Sequence, residues 1–316
     1  MRIMFMGTPD FAVPALKSLI SAGHDICAVV TRPDRPKGRG MKLAPPPVKE
    51  LASERSIPVF QPKSIKGNEL AGVLEKYRPE LIAVVAYGKI LPEYILDFPS
   101  HGCINLHASL LPRYRGAAPI QHAVINGEKI TGVSTMYMAE GLDTGDVILQ
   151  LECPISDEDT SESMFIKLSG LGAGLLVDTV RAIESGSVTA VPQNDSLATY
   201  APMIKKEDCR INWNRNANQV CNLIRGCYSM PCAFTFIGNK RVKVMRATPG
   251  AAHSDFPGKI LKIDSDGMEV AAGGGITVII KEMQVEGSKR MTPVEYTRGH
   301  DIPSGIILDD GQKEDL

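Results

Sequence analysis

The fold is decided by residues 102–112, which run Gly-Cys-Ile-Asn-Leu-His-Ala-Ser-Leu-Leu-Pro. The first half of this stretch has the apolar character of a buried strand, yet it carries Asn105 and His107 two positions apart. Residues at positions i and i+2 of a strand project from the same face. Ligands of open α/β sheets bind beyond the carboxyl ends of the strands. The stretch therefore predicts that Asn105 and His107 point together into the mouth of a cleft.

Short β-rich runs alternate with amphipathic helical patterns on both sides of this stretch, an order typical of a parallel sheet covered by helices. The predicted strands are residues 2–7, 25–31, 81–86, 103–107 and 131–137. The predicted helices, with apolar residues at three- and four-residue spacing, are 11–21, 67–77, 118–126 and 161–183. We therefore expect an α/β domain with a Rossmann-like, mostly parallel sheet over residues 1–188.

The pattern then breaks into Pro, Asn, Ser and Thr, which indicates an interdomain linker over residues 189–206. One helical segment at 216–225 follows, and after it come several short strands separated by glycine turns, a pattern typical of a small β-barrel. These strands are predicted at 233–237, 241–246, 259–263, 268–271 and 276–283. We expect a C-terminal OB-like β-barrel domain over residues 207–316.

The composition is that of a globular protein, because 43% of the 316 residues are hydrophobic and 22% are charged. Seven cysteines without a CxxC pair predict buried thiols, and the six histidines offer no metal-ligand spacing, so we expect no metal. No apolar run approaches the ~20 residues of a membrane span, and the N-terminus lacks a signal-peptide cleavage site. We therefore expect a cytoplasmic monomer that does not contact membranes.

A third polar residue, Asp143, follows the strand predicted at 131–137, in the glycine-bracketed loop 141–145. An amide, an imidazole and a carboxylate suit the transfer of an acyl group to an amine. The Asn105 amide would donate to the carbonyl oxygen, and His107 as imidazolium would stabilise the developing oxyanion. Asp143 would keep His107 charged and relay the proton of the amine through a water. The residue types alone leave open that the three are unrelated core or surface residues.

The run at residues 105–120, NLHASLLPRYRGAAPI, followed by GLDTG at 141–145, resembles the folate-dependent formyltransferases, and the resemblance extends over nearly the whole chain. It implies that Asn105, His107 and Asp143 are catalytic. It implies further that 10-formyltetrahydrofolate is the formyl donor and that the acceptor is methionine attached to its initiator tRNA. The folate-binding residues implied by the resemblance are Ser109, Leu110, Leu111 and Pro112, together with Val85, Ala86, Tyr87, Gly88, Ile90 and Leu91.

A basic, proline-rich loop lies between residues 32 and 49, where six Lys and Arg residues stand against one Asp. Its five prolines and two glycines predict a segment without regular structure. A long loop in an α/β protein indicates a function, although a merely solvated loop is the alternative. The resemblance implies that this loop engages the acceptor end of tRNA, with Arg39 as its sensitive position. The predicted contacts are Arg35, Lys37, Arg39 and Lys42.

The predicted second domain is locally positive, with fifteen Lys and Arg against ten Asp and Glu between residues 205 and 308. Small β-barrels of the OB type commonly present such a surface to nucleic acid. Contacts with backbone phosphates would make the binding salt-sensitive and largely independent of sequence. The predicted tRNA contacts in this part of the chain are Lys205, Lys206, Lys240, Arg241 and Lys243.

Three alternatives remain for the function. Sugar-nucleotide N-formyltransferases resemble this chain in the catalytic core and in a comparable second domain, but they lack the basic insertion. Formyltransferases that act on glycinamide ribonucleotide look like the first domain alone. A nonenzymatic RNA-binding protein could have inherited the fold, although the intact Asn105, His107 and Asp143 argue against it.

Overall fold

The computed structural model of the chain describes residues 1–37, 41–254, 256–303 and 305–309. The chain forms two compact units, each with its own core. The first unit comprises Met1–Pro119, Ile130–Pro154 and Phe165–Pro202. The second comprises Ile120–Lys129, Ile155–Met164 and Met203–Leu316.

A seven-stranded sheet is the centre of the first unit. Counting along the chain, the strands up to residue 154 are β1 (Arg2–Gly7), β2 (Asp25–Val30), β3 (Arg35–Lys37), β4 (Lys42–Ala44), β5 (Val59–Phe60), β6 (Leu81–Val85), β7 (Cys103–His107), β8 (Ile130–Tyr137) and β9 (Val147–Pro154). Of these nine strands, β3 and β4 lie outside the seven-stranded sheet. The sheet order is β5-β2-β1-β6-β7-β8-β9, in which the first five strands are parallel and the last two are antiparallel to their neighbours. The prediction of a mostly parallel α/β sheet is confirmed.

The central strands are buried on both faces, since four of the six residues of β1, Ile3 to Met6, are fully inaccessible to solvent. Such continuous apolar runs are expected where helices cover both sides of a sheet. The sequence patterns did not predict β9. Five of its eight residues are apolar, but β9 is the edge strand of the sheet and its residues Gln150 to Glu152 are exposed.

The helices before residue 203 are α1 (Val13–Ser21), α2 (Pro47–Glu54), α3 (Ala71–Tyr77), α4 (Glu93–Leu96), α5 (Pro119–Ile125) and α6 (Ser161–Glu184). Each of the four predicted helices is present with shifted ends. Among the described residues, only α6 is long and apolar enough to cross a membrane. However, 56% of the 18-residue apolar stretch of this helix is buried. Gly172 of α6 leaves no room for a side chain, because a Cβ would lie 2.8 Å from Leu106. We therefore interpret α6 as a core helix.

The prediction that residues 32–49 lack regular structure was wrong. β3 and β4 form a short antiparallel hairpin, and α2 begins at Pro47. Proline is compatible with both elements: each strand of a two-stranded ribbon leaves one side unpaired, and Pro47 occupies a first-turn helix position that needs no N–H donor. Proline content alone was therefore a poor guide to this segment.

The second unit contains α7 (Ala217–Gly226), β10 (Phe234–Ile237), β11 (Lys240–His253), β12 (Ile260–Asp264), β13 (Gly267–Ala271), β14 (Ile276–Val285) and α8 (Pro293–Thr297). The five strands form one antiparallel sheet in the order β10-β11-β14-β13-β12. Its core includes Trp213, whose indole N–H donates to Thr235 Oγ1 over 3.0 Å. The prediction of a strand-rich second domain is confirmed.

Residues 191 and 201 of the predicted linker, residues 189–206, make backbone hydrogen bonds to the first unit. Val191 exchanges two backbone hydrogen bonds with Val147, and the Ala201 N–H donates to the carbonyl of Arg115 over 2.7 Å. The domain boundaries at 188 and 206 stay a prediction.

Candidate active site

The three predicted catalytic residues lie together. Asn105 and His107 occupy alternate positions at the end of β7, and Asp143 lies in the loop that follows β8. The His107 Nδ1 and Asp143 Oδ2 atoms are 3.6 Å apart, and Asn105 Nδ2 lies 3.5 Å from Asp143 Oδ1. The side chains of His107 and Asp143 are only 7% and 12% exposed. The edge formed by the carboxyl end of β7 is thus a polar, mostly desolvated site.

The two ring nitrogens of His107 both face hydrogen-bond acceptors. Nε2 lies 2.9 Å from the carbonyl oxygen of Tyr114, and Nδ1 faces the Asp143 carboxylate. A neutral imidazole has one donor nitrogen and one acceptor nitrogen, whereas the imidazolium has two donors. The doubly protonated ring is therefore the form that suits both neighbours.

The loop that carries Asp143 has an unusual backbone. Asp143 adopts a left-handed conformation with φ of 53°, which is costly for a residue with a side chain. The Gly116 N–H donates to Asp143 Oδ2 over 2.8 Å, and the Gln193 side-chain amide donates to the Asp143 carbonyl oxygen over 2.8 Å. In the same loop, Gly145 has no space for a side chain, because a Cβ would overlap the carbonyl oxygen of Tyr137. Several independent contacts therefore fix the carboxylate beside His107.

One predicted folate-binding segment, Ser109 to Pro112, has its shape set by the two antiparallel strands. The Ser134 hydroxyl of β8 donates to the Ser109 carbonyl oxygen over 2.6 Å and accepts from the Leu111 N–H over 3.1 Å. Gln150 of β9 donates to the Leu111 carbonyl oxygen over 3.0 Å. Neither Ser134 nor Gln150 was predicted from the sequence. Residues 131–137 carry four hydroxyl side chains, so the sequence did not distinguish Ser134 from the others.

The other predicted folate-binding segment, residues 85–91, leaves the sheet next to β7, because Val84 pairs with Asn105 in the strand register. Ala86, Gly88 and Ile90 are exposed, whereas Val85, Tyr87 and Leu91 are buried behind them. The exposed residues form an apolar surface with accessible backbone. At 74% exposed, Ile90 is among the most accessible large apolar side chains described.

Tyr87 is a buried residue with an unsatisfied polar group. Its hydroxyl has no hydrogen-bond partner among the described residues, and burial raises its pKa to about 12. Arg32 donates from Nε to the Tyr87 carbonyl oxygen over 3.1 Å and from its terminal nitrogen to the Gly88 carbonyl oxygen. Arg32 therefore stabilises the backbone of Tyr87 and Gly88, although its position in the sequence had assigned it to the basic loop.

Two of the six basic residues of the segment 32–49, Arg32 and Lys49, make contacts within the fold. Lys49 is bound internally, since its ammonium donates to both carboxylate oxygens of Asp34 over 2.8 and 2.9 Å and to Gln61 over 2.8 Å. These donor contacts lower the pKa of Asp34. Arg35 is exposed on β3. The backbone places Lys37 at the end of β3 and Lys42 at the start of β4, and Arg39 lies outside the described residues.

The predicted tRNA contacts of the second unit differ in accessibility. Lys205, Lys206 and Lys240 are exposed, and Lys243 is half-buried. The Arg241 guanidinium lies 4.0 Å above the ring of Phe234, and its Nε is buried without a hydrogen-bond partner among the described residues. Stacking on an aromatic face partly accounts for its position in the fold.

The cysteines are buried, as predicted. All seven are free thiols, and the closest described pair is that of Cys209 and Cys227, whose sulfurs are 3.1 Å apart. Burial raises the pKa of Cys103 to about 12 and that of Cys221 to about 12. Within the described ranges, no group of three His, Cys, Asp or Glu residues could bind a metal ion.

Two family models match most of the chain. The model described as formyl transferase matches residues 1–180, and the model described as formyl transferase, C-terminal domain, matches residues 203–301. The chain is 48% identical over 310 residues to the methionyl-tRNA formyltransferase of Acetivibrio thermocellus, covering 98% of this chain and 99% of that protein. It is 49% identical over 312 residues to the methionyl-tRNA formyltransferase of Pelotomaculum thermopropionicum, covering 98% of each.

Solved structures of low sequence identity share the fold. The N-formyltransferase of Helicobacter canadensis, in complex with folinic acid and dTDP-3-aminofucose, matches with a TM-score of 0.67 at 18% identity, over 88% of this chain and 98% of that one. The methionyl-tRNA formyltransferase of Clostridium thermocellum matches with a TM-score of 0.55 at 20% identity, over 78% of this chain and 93% of that one. At these identities the likeness concerns the fold alone.

Proposed function

Since the chain belongs to the formyl transferase family, we propose that it transfers the formyl group of 10-formyltetrahydrofolate to the amino group of methionine on its initiator tRNA. The observation that carries the proposal is the convergence of Asn105, His107 and Asp143 at one desolvated strand end. The near-complete coverage by relatives named methionyl-tRNA formyltransferase supports the choice of acceptor.

The reaction forms a bond between the methionine nitrogen and the formyl carbon and breaks the bond from that carbon to N10 of the folate. Negative charge collects on the formyl oxygen as the amine adds. The second Nδ2–H of Asn105 is available to donate to this oxygen. Because contacts already occupy both His107 nitrogens, the imidazolium acts mainly through its charge. One well-placed donor in a desolvated site contributes about 10²–10³-fold to the rate.

The amine loses one proton and N10 gains one, so the transfer consumes no net proton. Asp143 lies against His107 and accepts from the Gly116 N–H. We assign it two roles: its negative charge stabilises the imidazolium, and it passes the amine proton onward through a water. The left-handed backbone that presents this carboxylate is consistent with strain retained at a functional site.

Two segments are proposed to bind the folate. Ser109 to Pro112 would contact it on the β7 side, and residues 85–91 would contact it on the β6 side, since β6 and β7 are neighbours in the sheet. The exposed side chain of Ile90 fits the apolar part of such a ligand, while Tyr87 is buried behind this surface and would support it. No metal is part of the proposed chemistry.

The acceptor can be tested directly. The protein is mixed with 10-formyltetrahydrofolate labelled in the formyl carbon and with either methionyl-tRNA or dTDP-3-aminofucose. We expect label in N-formylmethionine released from the tRNA and none on the sugar nucleotide. Uncharged tRNA and free methionine serve as controls for the site of attachment. Labelling of the sugar alone would overturn the proposed acceptor.

Phosphate contacts predict a further result. Replacing Lys205, Lys206 and Lys243 by Ala is expected to raise the KM for methionyl-tRNA and to leave the KM for the folate unchanged. Each lost phosphate contact should reduce the slope of log KM against log salt by about 1. Lys17→Ala, which removes one exposed charge on α1, is the control and should change neither quantity. An unchanged salt slope in the triple variant would contradict these contacts.

We further propose that the protein acts in the cytoplasm as a monomer. Seven free, buried thiols suit a reducing compartment. Light scattering of the purified protein would contradict the monomer if it gave the mass of two chains.

A further inference from the structure

Gln193 contacts the loop of Asp143 at two points, although it lies fifty residues away in sequence. Its side-chain amide nitrogen donates to the Asp143 carbonyl oxygen over 2.8 Å and to the Gly145 carbonyl oxygen over 2.7 Å. Two acceptors of one tight loop are thereby satisfied by one residue. The pairing of Val191 with Val147 on β9 brings this segment alongside the loop.

The orientation of the Gln193 amide is determined by Arg115. The guanidinium donates to Gln193 Oε1 from Nε over 3.1 Å and from a terminal nitrogen over 2.8 Å. Arg115 has donors only, so the oxygen of the amide must face it. The amide nitrogen must then face the two loop carbonyls. At 2% exposed, Arg115 is among the largest fully buried side chains described, and its remaining carboxylate partner, Asp195, is 81% exposed.

The backbone around Arg115 contacts both members of the His107–Asp143 pair. The carbonyl oxygen of Tyr114, the preceding residue, accepts from His107 Nε2, and the N–H of Gly116, the following residue, donates to Asp143 Oδ2. The segment 114–116 therefore binds the pair directly by its backbone. The same segment also contacts the Asp143 loop indirectly, because the Arg115 side chain binds Gln193 and Gln193 binds the loop.

We propose that Gln193 is a positioning residue for formyl transfer, which, with its orientation set by Arg115, keeps Asp143 in the left-handed conformation that directs its carboxylate at His107. Without the amide, two carbonyls of the loop would lose their donor, and Asp143 could relax toward ordinary backbone angles. The carboxylate would then move away from the imidazole. This inference rests on the proposed function, because it assigns Gln193 to that same site.

The test replaces Gln193 by Met, which has a similar length and no N–H to donate to the two loop carbonyls. We expect kcat for the formylation of methionyl-tRNA to fall about 10–100-fold, the range typical of residues that orient a functional group. The KM values for both substrates should change less than threefold. Asn194→Ala is the matched control: its side chain caps a neighbouring turn at Ser196, and this variant should retain full activity.

A double-mutant cycle separates positioning from a general loss of stability. In an Asp143→Asn background, Gln193→Met should lower kcat less than twofold further, since the group that Gln193 positions is already altered. A merely structural role would instead lower kcat by the same factor in both backgrounds, and that result would overturn the inference. Full activity of Gln193→Met would do the same. An inactive wild-type protein would count against the proposed function itself.

Discussion

His107→Ala is expected to lower kcat for formyl transfer by about 10²–10⁴-fold while the affinity for the folate changes little. The imidazolium is the only cation in the trio of Asn105, His107 and Asp143. Its removal also leaves the Asp143 carboxylate partly buried without its closest positive partner. The developing negative charge on the formyl oxygen would then meet a negative carboxylate without a compensating positive charge, which raises the barrier.

Three measurements decide the outcome for this variant. Steady-state kinetics with methionyl-tRNA give kcat, calorimetric titration with folinic acid gives the affinity of the folate site, and thermal unfolding reports the fold. His101→Ala is the matched control, because His101 is exposed just before the amino end of β7, whereas His107 ends the strand. A variant that unfolds would instead identify His107 as a core residue. Retained kcat would remove it from the mechanism.

The polar end of β7 could be predicted from sequence because it follows from local geometry. Alternation along a strand places Asn105 and His107 on one face, and the position of functional residues at carboxyl strand ends is general to α/β sheets. The glycine-bracketed loop after the next predicted strand indicated Asp143, and the family resemblance then added the folate-binding segments. The structure places side-chain atoms of Asn105 and His107 3.5 Å and 3.6 Å, respectively, from the Asp143 carboxylate.

The supporting contacts could not be predicted in the same way. Gln193 lies in a segment whose Pro, Asn and Ser content resembles an interdomain linker, and its partners are determined by tertiary packing rather than by spacing. The direction of β8 could not be predicted either, since a strand carries the same residue pattern whether it runs parallel or antiparallel to β7. The antiparallel arrangement is what brings Ser134 opposite His107 and next to the predicted folate loop.

The loop between β8 and β9, which carries Asp143, makes a tight turn. The absence of a side chain at Gly145 permits this turn. A Cβ at this position would lie 1.7 Å from the carbonyl oxygen of Tyr137, a backbone atom that cannot rotate away. Tyr137 in turn donates its N–H to the carbonyl oxygen of Asp146 over 2.9 Å, which closes the loop. Any side chain at Gly145 would therefore push these two strand ends apart.

Gly145→Ala is consequently expected to lower kcat by about 100-fold or more and to reduce the free energy of unfolding by about 1–3 kcal/mol. Asp143 is two residues away, and a displacement of its carboxylate by about 1 Å is enough for a loss of this size. Steady-state kinetics and urea unfolding of the full chain measure both quantities.

The matched control for this variant is Gly170→Ala. Gly170 is exposed on α6, and a Cβ there would have no neighbour within 4 Å. The same chemical change in a helix interior is expected to stabilise the protein by up to about 1 kcal/mol and to leave kcat unchanged. The two variants add one methyl group each, so opposite signs in stability can come only from the surroundings of the two glycines. If Gly145→Ala kept the wild-type kcat, the tight closure of the loop would not be what positions Asp143, and the contacts from Gly116 and Gln193 would have to suffice.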